Sequence, residues 1–205
     1  MNMKTLRWMA VLLVSLPLLA SCHFLDIDDE PELIIDPPVW GRFVFDDDGV
    51  PGSREMEAVA KEVFNRAVVG YGWKWEATRE ILPDGSVGEK DYWQNMIGKA
   101  PENYFFGQEQ MTAFFCSDAR QGQLMHRDFP YSYDEADNGV YAGGRRILQI
   151  LSCDVGSDYL WCVELLGYRD ERAVYGVTTM KRLTSRELEE MREKYAVEWD
   201  ETQSL

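Results

Sequence analysis

The chain predicts a mainly β domain: an antiparallel barrel of about eight strands, with one helix before it and one after it. Three observations predict this class. At Trp73 the apolar pattern switches from a period of 3.6 to a period of 2. From there to Leu183, short β-rich runs are separated by turn residues, and no helical pattern intervenes. After Leu183 the helical period returns.

The elements follow in order. Ser53 is a good N-cap, and Met56, Val59, Val63, Phe64, Ala67 and Val68 recur at helical spacing behind it. Glu57 and Lys61 take the other face, and Gly70 and Gly72 end the pattern. The spacing predicts an amphipathic helix of roughly four turns. Trp73, Trp75, Ala77, Arg79 and Ile81 then alternate with Lys74, Glu76, Thr78, Glu80 and Leu82, which reads as a strand with one buried face. Pro83-Asp84-Gly85 makes the turn. Further runs cover 92–97, 104–106, 111–116, 124–133, 140–141, 147–153, 159–166 and 174–183, with turn-rich breaks such as Asp134–Gly139 between them. In the last helix Thr184 and Glu187 have capping-box spacing, and Leu183 and Leu188 suit a hydrophobic staple. Leu188, Met191, Tyr195 and Trp199 form its apolar stripe, which is expected to pack on the outside of the barrel.

The N-terminus carries a different signal. Lys4 and Arg7 precede an apolar run from Trp8 to Leu19, too short to span a bilayer and of the length of a signal-peptide core. The run ends Leu19-Ala20-Ser21-Cys22, which resembles the lipobox of bacterial lipoproteins. That resemblance implies cleavage before Cys22 and a diacylglyceryl group on its sulfur. Two acyl chains anchor stably where one binds marginally, so the mature chain is expected to be tethered to a membrane without spanning it. Acids crowd the next segment: Asp26, Asp28, Asp29, Glu30, Glu32 and Asp36, then Asp46, Asp47 and Asp48, opposed by Arg42. Pro31, Pro37, Pro38 and Pro51 interrupt any helix, so an extended, solvated tether is expected, with Val39–Phe45 able to add an edge strand. The acid cluster resembles the export signal of surface-displayed lipoproteins of some Gram-negative anaerobes; a plain acidic spacer would have the same composition. The expected organisation is a signal over 1–21, a tether over 22–52, the barrel with its leading helix over 53–184, and a helical tail over 185–205.

Charge and cysteines narrow the function. The 21 basic and 36 acidic residues give −15, and loss of Lys4 and Arg7 with the signal takes this to −17. Such a field repels phosphate backbones, so no nucleic-acid partner is expected. Besides Cys22, the cysteines are Cys116, Cys153 and Cys162. Cys153 and Cys162 flank a turn; they would bridge if the hairpin register set them opposite each other, and a shift of one pair would leave them too far apart.

A short helix, a Gly/Trp-rich first strand, an Asp-Gly turn, a Tyr-Phe-Phe hairpin and a final strand ending Met180-Lys181-Arg182-Leu183 resemble the lipocalin-like lipoproteins of Gram-negative anaerobic bacteria. The likeness covers roughly Ser53 to Thr184. Gly70-Tyr71-Gly72-Trp73-Lys74-Trp75 departs from the family's Gly-x-Trp spacing, and Arg182 is the candidate for the Arg that packs over that Trp. The resemblance implies a lipid-anchored outer-membrane protein whose barrel holds a small apolar or amphipathic molecule. Trp73, Trp75, Trp93, Tyr104, Phe106, Phe114 and Trp161 are the candidate lining, though aromatics equally fill cores. Such a protein should contain an internal apolar cavity of a few hundred cubic ångströms. The alternative is an accessory module that docks a protein or glycan through an exposed patch.

No catalytic constellation is expected. His23 lies beside the lipidated terminus, and His126 stands in a strand next to Arg127 and Asp128. No nucleophile elbow, zinc-protease helix or paired Cys-x-x-Cys occurs, and Cys116 with His126 would meet only through a favourable hairpin register. Asp134–Gly139 has Ala136 at the third and Arg145 at the twelfth position of a would-be calcium loop, so it reads as a turn. No cofactor or metal is expected.

Overall fold

The period-2 stretch after Gly70 is the organising strand. In a computed structural model that describes residues 40–53, 56–94, 101–117, 120 and 122–199, it forms β3 (Gly72–Ile81). The signal, Cys22, most of the tether, and residues 95–100 lie outside the described part. β3 pairs antiparallel with β12 (Arg172–Arg182) along most of its length. Its other edge pairs with β5 (Asn103–Phe106) at the start and with β4 (Val87–Asp91) toward the end. From β5 the sheet continues through β6 (Gln110–Ser117) to β7 (Gln123–Pro130). From β12 it runs back through β11 (Tyr159–Arg169), β10 (Arg145–Cys153) and β9 (Gly139–Ala142) to β8 (Ser132–Asp134).

β7 and β8 are separated only by Tyr131, so the two ends of this path are successive parts of one stretch of chain. The sheet therefore curls round on itself. Counting β7 and β8 as one bent strand and setting β4 aside, eight strands follow in sequence order, with the first beside the last. This is the predicted mainly β, antiparallel meander. It is incompletely closed: the free edge of β7 takes the short parallel strand β13 (Val197–Glu198) instead of β9.

The leading helix is shorter than its apolar spacing predicts. α1 covers Lys61–Ala67, and Ser53 ends a strand. The reason is competition for the backbone. Asn138, 1% exposed at the β8–β9 turn, accepts from Val59 N at 2.9 Å and donates from Nδ2 to Glu57 O at 2.8 Å. Tyr133 Oη donates to Val59 O at 2.8 Å. The groups that would start the expected first turns are thus held in an extended path. What remains of the helix seals the end of the barrel where β3 begins. Phe64 stacks on Tyr133 with ring centroids 4.0 Å apart and meets Phe106 edge-on at 6.0 Å. Val68, Trp73, Leu148 and Leu160 complete this solid lower core.

The end of the expected tether is folded. β1 (Phe43–Phe45) and β2 (Pro51–Ser53) make a hairpin whose turn is held by Asp46 Oδ1, which accepts from Asp48 N and Val50 N. Phe43 is buried and its N–H donates to Gly85 O at 2.8 Å. Gly85 has φ +81°, and a Cβ there would lie 2.0 Å from Phe43 O, so the Asp-Gly turn needs its glycine twice over.

The C-terminal helix α2 (Ser185–Lys194) carries the expected capping box. Glu187 N donates to Thr184 Oγ1 at 3.3 Å, and Thr184 N donates to Glu187 Oε2 at 2.8 Å. Leu183 and Leu188 both crowd Gly72, where a Cβ would meet their Cδ1 atoms at 3.1 and 2.8 Å. A glycine on β3 is what lets this helix lie against the outside of the barrel. The seating continues with Arg192 over the Phe105 ring and Tyr195 against Phe114.

Cys116, Cys153 and Cys162 are not bridged. Cys162 pairs with Ile150 and Cys153 with Leu160, so the register sets each opposite a different residue. Burial pushes the Cys153 thiol up to about 12, and burial with the Glu164 charge raises Cys162 well above the usual thiol range. Both stay protonated at ordinary pH.

Candidate functional site

Above the solid core the barrel interior becomes polar. The cause begins with a β-bulge. Trp75 pairs with Met180 and Ala77 with Thr179, so Glu76 is an extra residue in β3. Two residues that strict alternation would put on opposite faces, Trp75 and Thr78, therefore face the same side. Trp75 Nε1 donates to Thr78 Oγ1 at 2.8 Å. The predicted face of Trp73, Trp75, Ala77, Arg79 and Ile81 is thus corrected: past the bulge, Thr78 points inward in place of Ala77.

Thr78 and Thr178 are 0% exposed, and their hydroxyls are 2.8 Å apart across the β3–β12 ladder. Glu164 on β11 completes the group. Its Oε1 accepts a short hydrogen bond from Thr178 Oγ1 and a longer one, 3.4 Å, from Thr78 Oγ1. Glu164 shares its face of β11 with Leu160 and Cys162, both in the core, so it points into the barrel. Opposite Glu164 in the register stands Gly176; a Cβ there would meet Thr78 Cγ2 at 2.8 Å and Leu166 Cδ1 at 2.7 Å. The glycine keeps room around the carboxyl.

A second carboxyl acts on the first through its charge. Glu102 Oε2 accepts from Tyr104 Oη at 3.0 Å, and Tyr104 is a core residue on β5. Burial, with a smaller contribution from the Glu102 charge, pushes Glu164 up to about 7 against the lowering effect of the threonine hydroxyls. Burial likewise raises Glu102, tempered by its hydrogen bond from Tyr104 and by the charge of Arg127. Tyr104 is raised well above the usual phenol range by burial and by both carboxylates. Yet neither acid is sealed off. Glu102 is exposed and Glu164 half-buried. The ion pairs Arg146–Asp137, Arg169–Glu80, Arg182–Asp158 and Arg186–Glu190 do not involve Glu164, while the Arg127 charge acts on Glu102.

At the far end of β3 a cleft of about 900 Å³ lies between the β1–β2 hairpin and the β11–β12 turn, walled by Phe45, Asp47, Ile81, Asp170 and Val174. Across it Arg169 holds Glu80 with two hydrogen bonds of 2.9 and 3.1 Å.

Of the seven aromatic residues singled out, four share the interior: Trp73, Tyr104 and Phe106 in the core, and Trp75 beside the polar group. Phe114 does not. Its neighbours Ala113 and Met111 take the inner face or its alternation, and Phe114 turns outward to pack on Tyr195. Trp161 is likewise on the opposite face from Leu160 and Cys162, buried with an unpartnered indole N–H and beside Tyr159. Trp93 follows β4, edge-on to Tyr92, its indole N–H also unpartnered. Arg182 pairs with Trp73 in the ladder, but its guanidinium lies 4.7 Å from the Tyr71 ring centre and reaches Ser157 O and Asp158. Cys116 and His126 are diagonal, opposite Leu124 and Phe114, and His126 Nδ1 lies 2.6 Å from Tyr195 O.

The residues that sequence reasoning missed are Glu164, Glu102, Thr78 and Thr178. Glu164 carried a signal: it is the one acid in the run Leu160–Leu166. Glu102, between Pro101 and Asn103, carried none.

No protein-family model matches the chain, and no curated protein matches its sequence. Among solved structures it is similar to apocrustacyanin C2, at 12% identity over 72% of this chain and 84% of that one, with a TM-score of 0.32. It is also similar to lobster apocrustacyanin A1, at 10% identity with the same coverage and a TM-score of 0.30.

Proposed function

We propose that this chain is a lipid-anchored binding protein of the bacterial outer membrane that holds a small amphipathic molecule in its barrel. One observation carries the reading: Glu164, half-buried and hydrogen-bonded by the buried Thr78 and Thr178, points into a curled sheet above an apolar core. Protein interiors seldom keep acids without a compensating partner, because an unpaired buried charge is costly. A group kept there at a cost to stability fits a binding role better than a structural one. Trp75, half-buried beside Thr78, supplies an apolar surface next to it. The anchor is assigned to Cys22 by the Leu-Ala-Ser-Cys string.

Two measurements test the reading. Native mass spectrometry of the mature chain purified from its own envelope should reveal a co-purified small molecule; a homogeneous mass equal to the polypeptide and its acyl groups would end the ligand claim. Fractionation of cells making Cys22→Ala should release the protein from membranes; retention would end the anchor claim.

A further inference from the structure

We infer that β13 is a strap over the open edge of the barrel, and that the β7 edge it guards is where a second copy of this chain adds by antiparallel strand pairing once the strap lifts. A strand edge offers a row of main-chain donors and acceptors that another extended chain can meet. β7 gives one side to β6 along its whole length. On its other side β13 is the one strand that pairs with it among the described residues. Trp199 N donates to His126 O across that side at 2.8 Å. His126 therefore turns its main-chain groups to the open edge, and Leu124, Asp128 and Pro130 do the same by alternation. The far half of this row is blunted by its own residues: Arg127 and Asp128 are exposed charges, and Pro130 has no N–H to offer. The near half, Leu124-Met125-His126, has no carboxylate, Lys, Arg or Pro. That is the stretch β13 covers, with Val197 beside Met125 and Glu198 beside His126.

The strap is slight. It pairs over two residues, in the parallel sense that is the weaker per residue, and both residues are exposed. Its hold comes from what flanks it. Before it, Tyr195 packs on Phe114, and its carbonyl oxygen lies 2.6 Å from His126 Nδ1. After it, the Trp199 ring meets Phe115 edge-on at 5.9 Å, and the Arg120 guanidinium lies 5.5 Å from the Trp199 ring centre. A segment with so few buried contacts opens locally without unfolding the sheet. A second copy fits the bared edge. Two β7 edges related by a two-fold axis present the same row to each other in opposite directions, as an antiparallel ladder and a closed dimer require. Centred on Met125, that ladder sets Leu124 of each copy opposite His126 of the other and leaves Arg127 and Asp128 at its ends.

The test uses the complete mature chain from Cys22, produced without its leader, as wild type, Trp199→Pro and Trp199→Phe. Proline removes both the ring and the N–H that reaches His126 O; phenylalanine keeps an N–H and a ring. A chain ending at Ala196 lifts the strap by a second route and leaves Tyr195 in place. Sedimentation velocity over a range of concentrations reads association, and amide exchange reads the edge. Wild type and Trp199→Phe should stay monomeric. Trp199→Pro and the shortened chain should exchange the His126 amide at least about tenfold faster at the lowest concentration, and self-associate at least about tenfold more tightly than wild type. His126→Pro, added to Trp199→Pro, removes an N–H from the middle of the bared row, leaves the β6 side of the ladder paired, and should restore the monomer. A wild type that dimerises as readily as the shortened chain, or strap variants that stay monomeric, would overturn the inference. Association that persists with His126→Pro would overturn it too, because it would run through another surface. Circular dichroism of the strap variants should match wild type; loss of strand signal in both would overturn the reading of β13 as detachable.

Discussion

Replacing Glu164 by Gln should stabilise the protein at neutral and alkaline pH and do little at acid pH. The group is raised from 4.5 to about 7 in the folded chain, chiefly by burial. Below about pH 4.5 it is protonated in both the folded and the unfolded chain, and it adds nothing to the difference. Between about pH 4.5 and 7 the unfolded chain gives up the proton and the folded chain keeps it, so stability falls. Above about pH 7 the loss is complete. At about 1.4 kcal/mol per pH unit, the rise from 4.5 to about 7 costs about 3 kcal/mol. For a domain of this size that is roughly 6–12 °C in Tm. Gln has the same shape, still accepts from Thr178, and has no proton to lose. Calorimetric melts of wild type and Glu164→Gln should therefore nearly coincide at about pH 4.5 and separate progressively to about pH 8, the variant melting higher. Glu102 is present in both proteins, so the comparison isolates Glu164. Parallel pH profiles, or a variant that melts lower at about pH 8, would refute the placement of Glu164 in a low-dielectric interior.

Three further substitutions probe the scaffold. Gly72→Ala drives a Cβ into Leu188 and Leu183, and should cost about 1–3 kcal/mol in chemical denaturation and loosen α2, seen as faster amide exchange in Ser185–Lys194. Asn138→Ala removes the acceptor of Val59 N and the donor to Glu57 O at a residue with φ +55°; about 2–3 kcal/mol should be lost by the same assay. Thr184→Ala breaks the capping box and should cost about 1 kcal/mol, with Thr184→Ser restoring most of it.

The fold was legible wherever local pattern and tertiary demand agree. The turn-bounded runs mark the strands because each must hide one face, and the capping box at Thr184 is satisfied entirely by neighbours in sequence. The leading helix was misjudged in length because its competitor is remote. Asn138, about eighty residues away, takes the amide of Val59, and no window centred on Met56 contains that information. The β1–β2 hairpin was hidden for a similar reason. Its acids and prolines have the composition of a tether, and its anchoring bond to Gly85 O is tertiary.

The site was harder to read than the barrel, and the bulge explains why. A strict period of 2 from Trp73 puts Ala77 inward and Thr78 outward; one extra residue at Glu76 exchanges them and brings Thr78 to Trp75, Thr178 and Glu164. Bulges leave almost no mark in a single sequence, since the extra residue needs no special side chain. Aromatic residues draw attention by their size, yet size does not choose a face. Phe114 and Trp161 differ from Phe106 and Trp73 only in the parity of their positions within a strand, and parity follows from a register set elsewhere. An acid inside an apolar run is the more discriminating signal. Outward-facing, Glu164 would have been one solvated charge among many; inward-facing, it must be accounted for by a partner, a shifted proton affinity or a ligand. The threonines supply part of the first and burial supplies the second. The bound molecule proposed above would supply the third.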